Sequence, residues 1–473
     1  MKKSVKQILK TFLIMLMAVS MVACSSAPAP AVEEPATEAE GASEATEPSE
    51  PTTIYYWTQQ TQSERLENIR ALLDVFEILN PDVKVELLGV DENDFSAQFA
   101  AAGETQNRPA LIEATQILSM SLDQEGVIDG KANADVINTI GANEYLSGSL
   151  ELVESADGFY GVPFHFFLQG IWYRTDWFEE AGLEAPTSWE NIKKAAEHFY
   201  KPENKQYGIL LGTQPDNFTQ QVFTQFAATN NAHLFNENGE LAIDSPEFIE
   251  TVEMYKELAQ YNPPGPQTWR ARDYYIQGKL PMFFYSTYIM DDLSTAEAAQ
   301  SSLTNENFGD LEGGEFDAEL VNKTGFVPVI SNASDASYGE LSTLSIITND
   351  NAAVTEAAKR LATFFYQEEN YVPYLHVAVG LMPAMNSTIQ SESFLNDPKG
   401  AYARYGGDRI VEIASGVGEI KDFLSLNGQP VPEASQILAK NILAETLYNI
   451  VIDDKDVVSE IEMAKKKMQS VVE

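Results

Sequence analysis

Four histidines, one cysteine and a large excess of carboxylates are the groups in this sequence that could do chemistry. His165, His198, His233 and His376 are scattered, without the HExxH-like spacing that sets two imidazoles on one helix face around a zinc ion. No GxSxG elbow and no Walker loop occurs, so the signatures of a serine hydrolase and of a phosphate-binding loop are absent. A glycosidase-like pair of acids cannot be singled out by counting, because 71 of 473 residues are Asp or Glu and any chosen pair is uninformative. Catalysis is therefore not expected, nor is a cofactor or a metal.

The charge and the N-terminus set the compartment. A formal net charge of −41 repels the phosphates of nucleic acid, so no nucleic-acid partner is expected. Lys2, Lys3, Lys6 and Lys10 precede an apolar segment running from Phe12 through Met21-Val22-Ala23, the pattern of a secretory signal, predicted over residues 1–23. Cys24 is the only cysteine, which excludes an intramolecular disulfide. Ala23 before it and Ser25-Ser26 after it resemble the lipobox of bacterial lipoproteins, which implies lipidation of Cys24 and a membrane anchor. From there to Thr53 the chain is Ala, Pro, Glu, Thr and Ser with almost nothing large and apolar, and it reads as a disordered acidic tether, residues 24–53.

The remaining length suits two domains better than one core. Ile54 to Trp57 reads as a strand. Leu66, Ile69, Leu73 and Phe76 repeat at helical spacing behind a capping box at Thr61 and Glu64, and Val83 to Leu87 alternates as a second strand. The loop of this β-α-β unit lies at the carboxyl end of the first strand, where open α/β sheets bind ligands. Arg108 to Glu113 reads as a turn and third strand, with Glu113, Thr115 and Gln116 as polar groups at its end. Further strands are predicted at Tyr207 to Leu211, Pro281 to Tyr285, Gly325 to Val329 and Leu341 to Ile347, and helices at Asn217 to Ala228, Ala353 to Tyr366 and Ser435 to Tyr448.

The stretch from Gly158 to Asn191 organises these pieces. A turn at Asp157-Gly158 leads through Tyr160-Gly161-Val162-Pro163 into an apolar strand, Phe164 to Tyr173; after Asp176 come Trp177, Phe178 and Ala181 at helical spacing, stopped by Gly182, and Ser188 stands as an N-cap before Trp189. This run resembles the domain crossover of the extracytoplasmic solute-binding proteins of ABC importers, carbohydrate type. Gln124 to Asp129 and Ala271 to Tyr285 resemble further segments of that family. The resemblance implies an α/β, two-lobe periplasmic-binding-protein-like fold with three hinge crossings, near Tyr160 to Pro163, Met282 to Tyr285 and Ile330 to Ser342, and a ligand cleft between the lobes. Residues 54–160 and 286–330 would form the N-terminal lobe, and 161–285 and 341–473 the C-terminal lobe.

The function implied is capture of a sugar or oligosaccharide outside the cell by a lipid-anchored monomer, and delivery to a permease with its ATPase. Sugars offer apolar C–H faces and a rim of hydroxyls, so their sites need flat rings and short polar groups. The candidates are Trp57, Gln59, Gln60, Glu113, Thr115, Gln116, His165, Phe167, Trp269, Tyr285 and Tyr288. Tyr288 falls where maltodextrin-binding relatives stack an aromatic ring on sugar, whereas Phe167 falls where they hold a carboxylate. Trp57 and Phe167 read equally well as core and Gln59 and Gln60 equally as turn residues, while His165, in its apolar run, reads more readily as a hydrogen-bonded structural histidine than as a hydroxyl-binding one. A binding protein for a peptide or a cationic solute, and a secreted hydrolase on a similar scaffold, are the competing expectations.

Overall fold

The computed structural model describes residues 50–103 and 107–473; the signal segment, Cys24 and the tether up to residue 49 lie outside them. β1 (Thr52–Thr58) begins within the last residues expected of the tether. α1 (Ser63–Leu79) follows, burying Ile69, Leu72, Leu73 and Phe76, and leads into β2 (Val83–Gly89), which pairs parallel with β1. The expected capping box does not form: Gln62 is the N-cap and makes no side-chain cap. α2 (Glu92–Ala102) precedes β3 (Leu111–Thr115), parallel to β1 on its other side, and α3 (Gln116–Gln124) leaves β3 directly, with Thr115 Oγ1 accepting from the Leu118 amide.

After α4 (Gly130–Ile140) comes the long β4 (Val162–Arg174), apolar on both faces and almost wholly buried. Its first half pairs antiparallel with β7 (Tyr338–Ile346), which in turn pairs with β3. From Gln169 onward it pairs with β5 (Met282–Ser286), and from Ile171 with β6 (Thr324–Val327). With β8 (Met382–Pro383) on β4, eight strands of the described residues join one mixed sheet, in the order β8-β4-β7-β3-β1-β2 with β5 and β6 on the far half of β4. Gly170 stands at the change of partner; a Cβ there would lie 2.3 Å from the Val327 carbonyl oxygen, so only glycine lets β6 approach. Trp172 fixes the second group, its ring 4.4 Å from that of Phe326 and its Nε1 donating to the Tyr285 carbonyl at 3.1 Å. This is the two-lobe α/β arrangement: one strand group with α1 to α4, and a second with α5 (Thr175–Ala181), α6 (Trp189–Phe199), α7 (Asn217–Thr229) and α8 (Pro246–Ala259).

Several expectations need correction. The partner of β4 changes at Gln169-Gly170, inside the strand, later than Tyr160 to Pro163, because an unbroken apolar run carries no mark of which neighbour it pairs with. α9 (Ala352–Phe365), placed by its sequence in the C-terminal lobe, packs on the first group instead: Phe365 lies 5.4 Å from Tyr56 and Phe364 5.3 Å from Phe76, ring centre to ring centre. α10 (Glu368–Leu375) follows it there, with Tyr374 bonded to Glu113. Conversely β6, expected in the N-terminal lobe, joins the second group. Helical periodicity shows that a face is buried but not which sheet covers it. Tyr207 to Leu211 is buried but forms no strand; its backbone bonds to Lys279, Tyr261 and the Asn262 side chain. The helix expected over 435–448 is two, α11 (Pro432–Ala439) and α12 (Ile442–Val451), separated by Asn441 at a φ of 54°. α13 (Val457–Val472) ends the chain against α12 and α8.

Candidate functional site

β1 and β3 run parallel, so their carboxyl ends lie side by side, and β4 and β7 bring their own residues to the same edge. A chamber of about 230 Å³ opens there, lined by Gln59, Gln60 and Arg65 after β1, Glu113 and Thr115 of β3, His165 and Phe167 of β4, Glu340 and Ser342 of β7, and Asp91, Tyr288 and Leu381.

Its anchor is Glu113, whose side chain is 1% exposed. Burying a carboxylate is costly unless its lone pairs are filled. Five donors fill them: the hydroxyls of Tyr56, Thr58 and Tyr374, Gln60 Nε2 at 3.1 Å and His165 Nε2 at 2.8 Å. Burial pushes the Glu113 carboxyl up, but His165 and the hydroxyls pull it down further, and it ends below the ordinary carboxylate range. As an ionised carboxylate only accepts, His165 Nε2 must carry the proton of their bond. The same bonds push Tyr56 and Tyr374 well above the ordinary phenol range, after burial as the larger cause. Glu113 is thus saturated by protein and serves to orient its neighbours.

The neighbours face the chamber. Gln60, with Nε2 on the carboxylate, presents Oε1 to Arg65 Nη1 at 2.6 Å, so the amide orientation and the guanidinium are set together. Gln59 Oε1 accepts from the Thr115 amide at 2.8 Å, while its buried Nε2 has no partner in the protein. Across the chamber Phe167 and Tyr288, both half-buried, meet at 5.5 Å with their rings tilted by 41°. Burial pushes the Tyr288 phenol up to about 12, so it stays a neutral hydroxyl at physiological pH. Amide, guanidinium, imidazole and hydroxyl groups beside two aromatic faces can hold a polyhydroxylated molecule.

The structure therefore brings together Gln59, Gln60, Glu113, Thr115, His165, Phe167 and Tyr288. Four sequence candidates lie elsewhere. Trp57 is core: its ring packs edge-on against Phe95 and Phe99 under α2, because on β1 it points to the sheet face, away from the strand's end. Tyr285 is covered by Arg272, whose Nη1 donates to its hydroxyl at 2.9 Å and whose guanidinium lies 5.5 Å from its ring. Trp269, 45% exposed, holds its ring 5.2 Å from the same guanidinium. Gln116 is buried just beyond Thr115 and lines a different cavity. Arg65, Asp91, Glu340, Ser342 and Leu381 were not foreseen. Glu340 and Ser342 share a strand face with a two-residue spacing that could have flagged them once Ser342 was placed near the cleft; Leu381 carries no such signal. Among the described residues, no cluster of three or more His, Cys, Asp or Glu could hold a metal ion.

Residues 60–372 match the family model for bacterial extracellular solute-binding proteins. The chain belongs to that family. It is 26% identical over 423 residues to YcjN, provisionally named an ABC transporter periplasmic-binding protein, of Escherichia coli (strain K12), an alignment covering 89% of this chain and 93% of that one. The fold matches the sugar-binding protein MalE of Xanthomonas citri at a TM-score of 0.66, with 15% identity over 89% of this chain and 97% of the other. It also matches a solute-binding protein of Agrobacterium vitis S4 with bound D-mannitol, at a TM-score of 0.58 and 18% identity over 89% and 98% of the two chains. The chamber lies where open α/β sheets receive their ligands.

Proposed function

We propose that this solute-binding protein captures a sugar or oligosaccharide outside the cytoplasm and hands it, chemically unchanged, to the permease of an ABC importer driven by its ATPase. The observation that carries the reading is the chamber itself: hydrogen-bonding groups oriented by the saturated Glu113, set against the rings of Phe167 and Tyr288. The sugar-binding and mannitol-bound structures that share the fold support the same ligand chemistry. Closure of the two lobes about the 169–170 region of β4 would exclude water once the ligand is held.

A melting-temperature panel of sugars, polyols, peptides and polyamines tests the reading. A ligand at 100 times its dissociation constant adds about 2.7 kcal/mol of stability, an easily measured shift. Shifts with sugars or polyols are expected; shifts confined to peptides or polyamines would overturn the proposal, and turnover of a panel compound would point to a hydrolase. Anchoring through a lipidated Cys24 and action as a monomer belong to the same proposal. Cys24→Ser is expected to release the protein into the medium or leave it uncleaved, and unchanged membrane retention would refute the anchor.

A further inference from the structure

β2 is the last strand of the sheet, so the side of it turned away from β1 has no neighbouring strand. At its two ends the Thr52 amide donates to the Asp82 carbonyl and the Val90 amide to the Thr58 carbonyl, which sets the parity: even-numbered residues bond to β1, and Val83, Val85 and Leu87 turn their N–H and C=O outward. Such an edge accepts an added strand unless it is blocked. Val85 is blocked by α1, its amide donating to Glu77 Oε1 at 2.9 Å and its carbonyl accepting from Arg70 Nη1 at 2.8 Å. The Val83 amide turns back to the Asn80 carbonyl. Leu87 is left open: neither its N–H nor its C=O has a partner among the described residues.

The open position borders a groove of about 510 Å³ between β2 and α1. Leu66, Ala71 and Leu87 give it apolar surface, and Glu67, Asp74 and Glu86 give it carboxylates. Arg70, the one cation among the described residues that line it, is already held by Asp74 at 2.8 Å and Glu77 at 3.0 Å, so the groove is acidic. An extended segment carrying an apolar side chain flanked by Lys or Arg complements it: the backbone pairs with Leu87, the apolar side chain enters the groove and the cations meet its carboxylates. At Gly89, which also lines the groove, a Cβ would lie 2.8 Å from the Gln60 carbonyl oxygen and 3.1 Å from Leu66. The groove thus ends against the loop that carries Gln59 and Gln60 into the chamber.

We propose that this groove docks an extended, basic segment of the importer's permease, added as a short strand to the open edge of β2 at Leu87. The inference rests on the delivery reading given above. A permease that takes the ligand has to come up to the chamber, and the groove adjoins the chamber's first loop. It also has to let go: with Val85 blocked, Leu87 offers its single N–H and C=O, a small contact that suits a partner binding and leaving in every transport cycle.

ATP hydrolysis by the permease and ATPase of its own cell, reconstituted in liposomes, tests it when followed against the concentration of the purified full chain loaded with the solute found by the melting-temperature panel. Leu87→Pro removes the outward N–H without touching a bond to β1, and Glu67→Lys reverses one charge of the groove on an exposed helix face. Both variants are expected to keep the wild-type solute affinity in calorimetry. Leu87→Pro should raise the concentration that gives half-maximal stimulation at least about tenfold, and Glu67→Lys should raise it several-fold. Stimulation at the wild-type concentration by Leu87→Pro, or by Glu67→Lys should Leu87→Pro fail to fold, overturns the docking site and leaves delivery standing. A wild-type dimer in sedimentation that Leu87→Pro dissolves would make the groove an interface between copies and overturn it as well. If the loaded wild type stimulates no hydrolysis, the delivery reading itself fails and the docking site falls with it.

Discussion

Two buried ionic centres of this protein solve the same problem differently. At Glu113 a carboxylate is surrounded by five donors from β1, the loop after it, β4 and α10, and it is held in its ionised form. At Arg272 a guanidinium lies 5.2 Å from the ring of Trp269 and 5.5 Å from that of Tyr285 and pairs with Asp292 at 3.0 Å. There the compensation is incomplete: burial pushes the Asp292 carboxyl up to about 7, with Asp291 adding to the push and Arg272 opposing it. The first centre leaves polar groups pointing into a chamber, whereas the second uses its aromatic rings on its own cation. Aromatic residues near a cleft are thus no evidence of a site until it is known what already covers them.

The largest effect should come from breaking the first centre. Glu113→Ala strands His165, Gln60 and three hydroxyls around a void and should cost about 3–5 kcal/mol of stability in urea unfolding, together with ligand affinity. A loss under about 1 kcal/mol would mean that the network is not the anchor of the chamber. Tyr288→Ala comes next: losing ring contact with a sugar should cost roughly 1.5–3 kcal/mol of binding, about ten- to a hundredfold in affinity, at a smaller cost in stability. Calorimetry and melting run together check it, and intact affinity with a collapsed melting temperature would make Tyr288 core.

The two centres should also respond to pH with opposite signs. The folded Glu113 titrates below its unfolded value of about 4.3, so its contribution is present above that value and is lost as the pH falls through the folded one. The folded Asp292 titrates above its unfolded value of about 3.9, so its contribution is present below that value and is lost as the pH rises through about 7. Asp292→Asn should flatten the decline in urea midpoint between about pH 4 and 7 and leave the limb below about pH 4 unchanged. An unchanged decline would show that Asp292 is already ionised below neutrality. The smallest effect is expected from Trp269→Ala, which removes one face of an exposed cation–π contact worth about 0.5–1 kcal/mol and should leave affinity intact. A tenfold loss of affinity would extend the site to Trp269 and erase the distinction between the two centres.

Much of this was legible in the chain. Alternation and helical spacing marked β1, α1 and β2, the apolar run marked β4, and polar residues following β1 and β3 could be expected at one edge because parallel neighbours end together. Local signals of this kind act within a few residues, and they marked most of the elements and pointed to the family and to seven of the residues around the chamber. What a side chain faces is decided by distant segments. The sequence placed Trp57, Tyr56 and Glu113 on adjacent strands, but only packing set α2 over Trp57, Phe365 against Tyr56 and Tyr374 on Glu113, across separations of hundreds of residues in the last two cases. It offered Tyr285 and Trp269 as rings without showing that Arg272 would lie over both of them. Composition and period fixed which faces must be buried, because water excludes apolar surface wherever it lies; tertiary structure alone decided what each buried face meets, because shape and hydrogen-bond pairing are satisfied only between segments that the fold brings together.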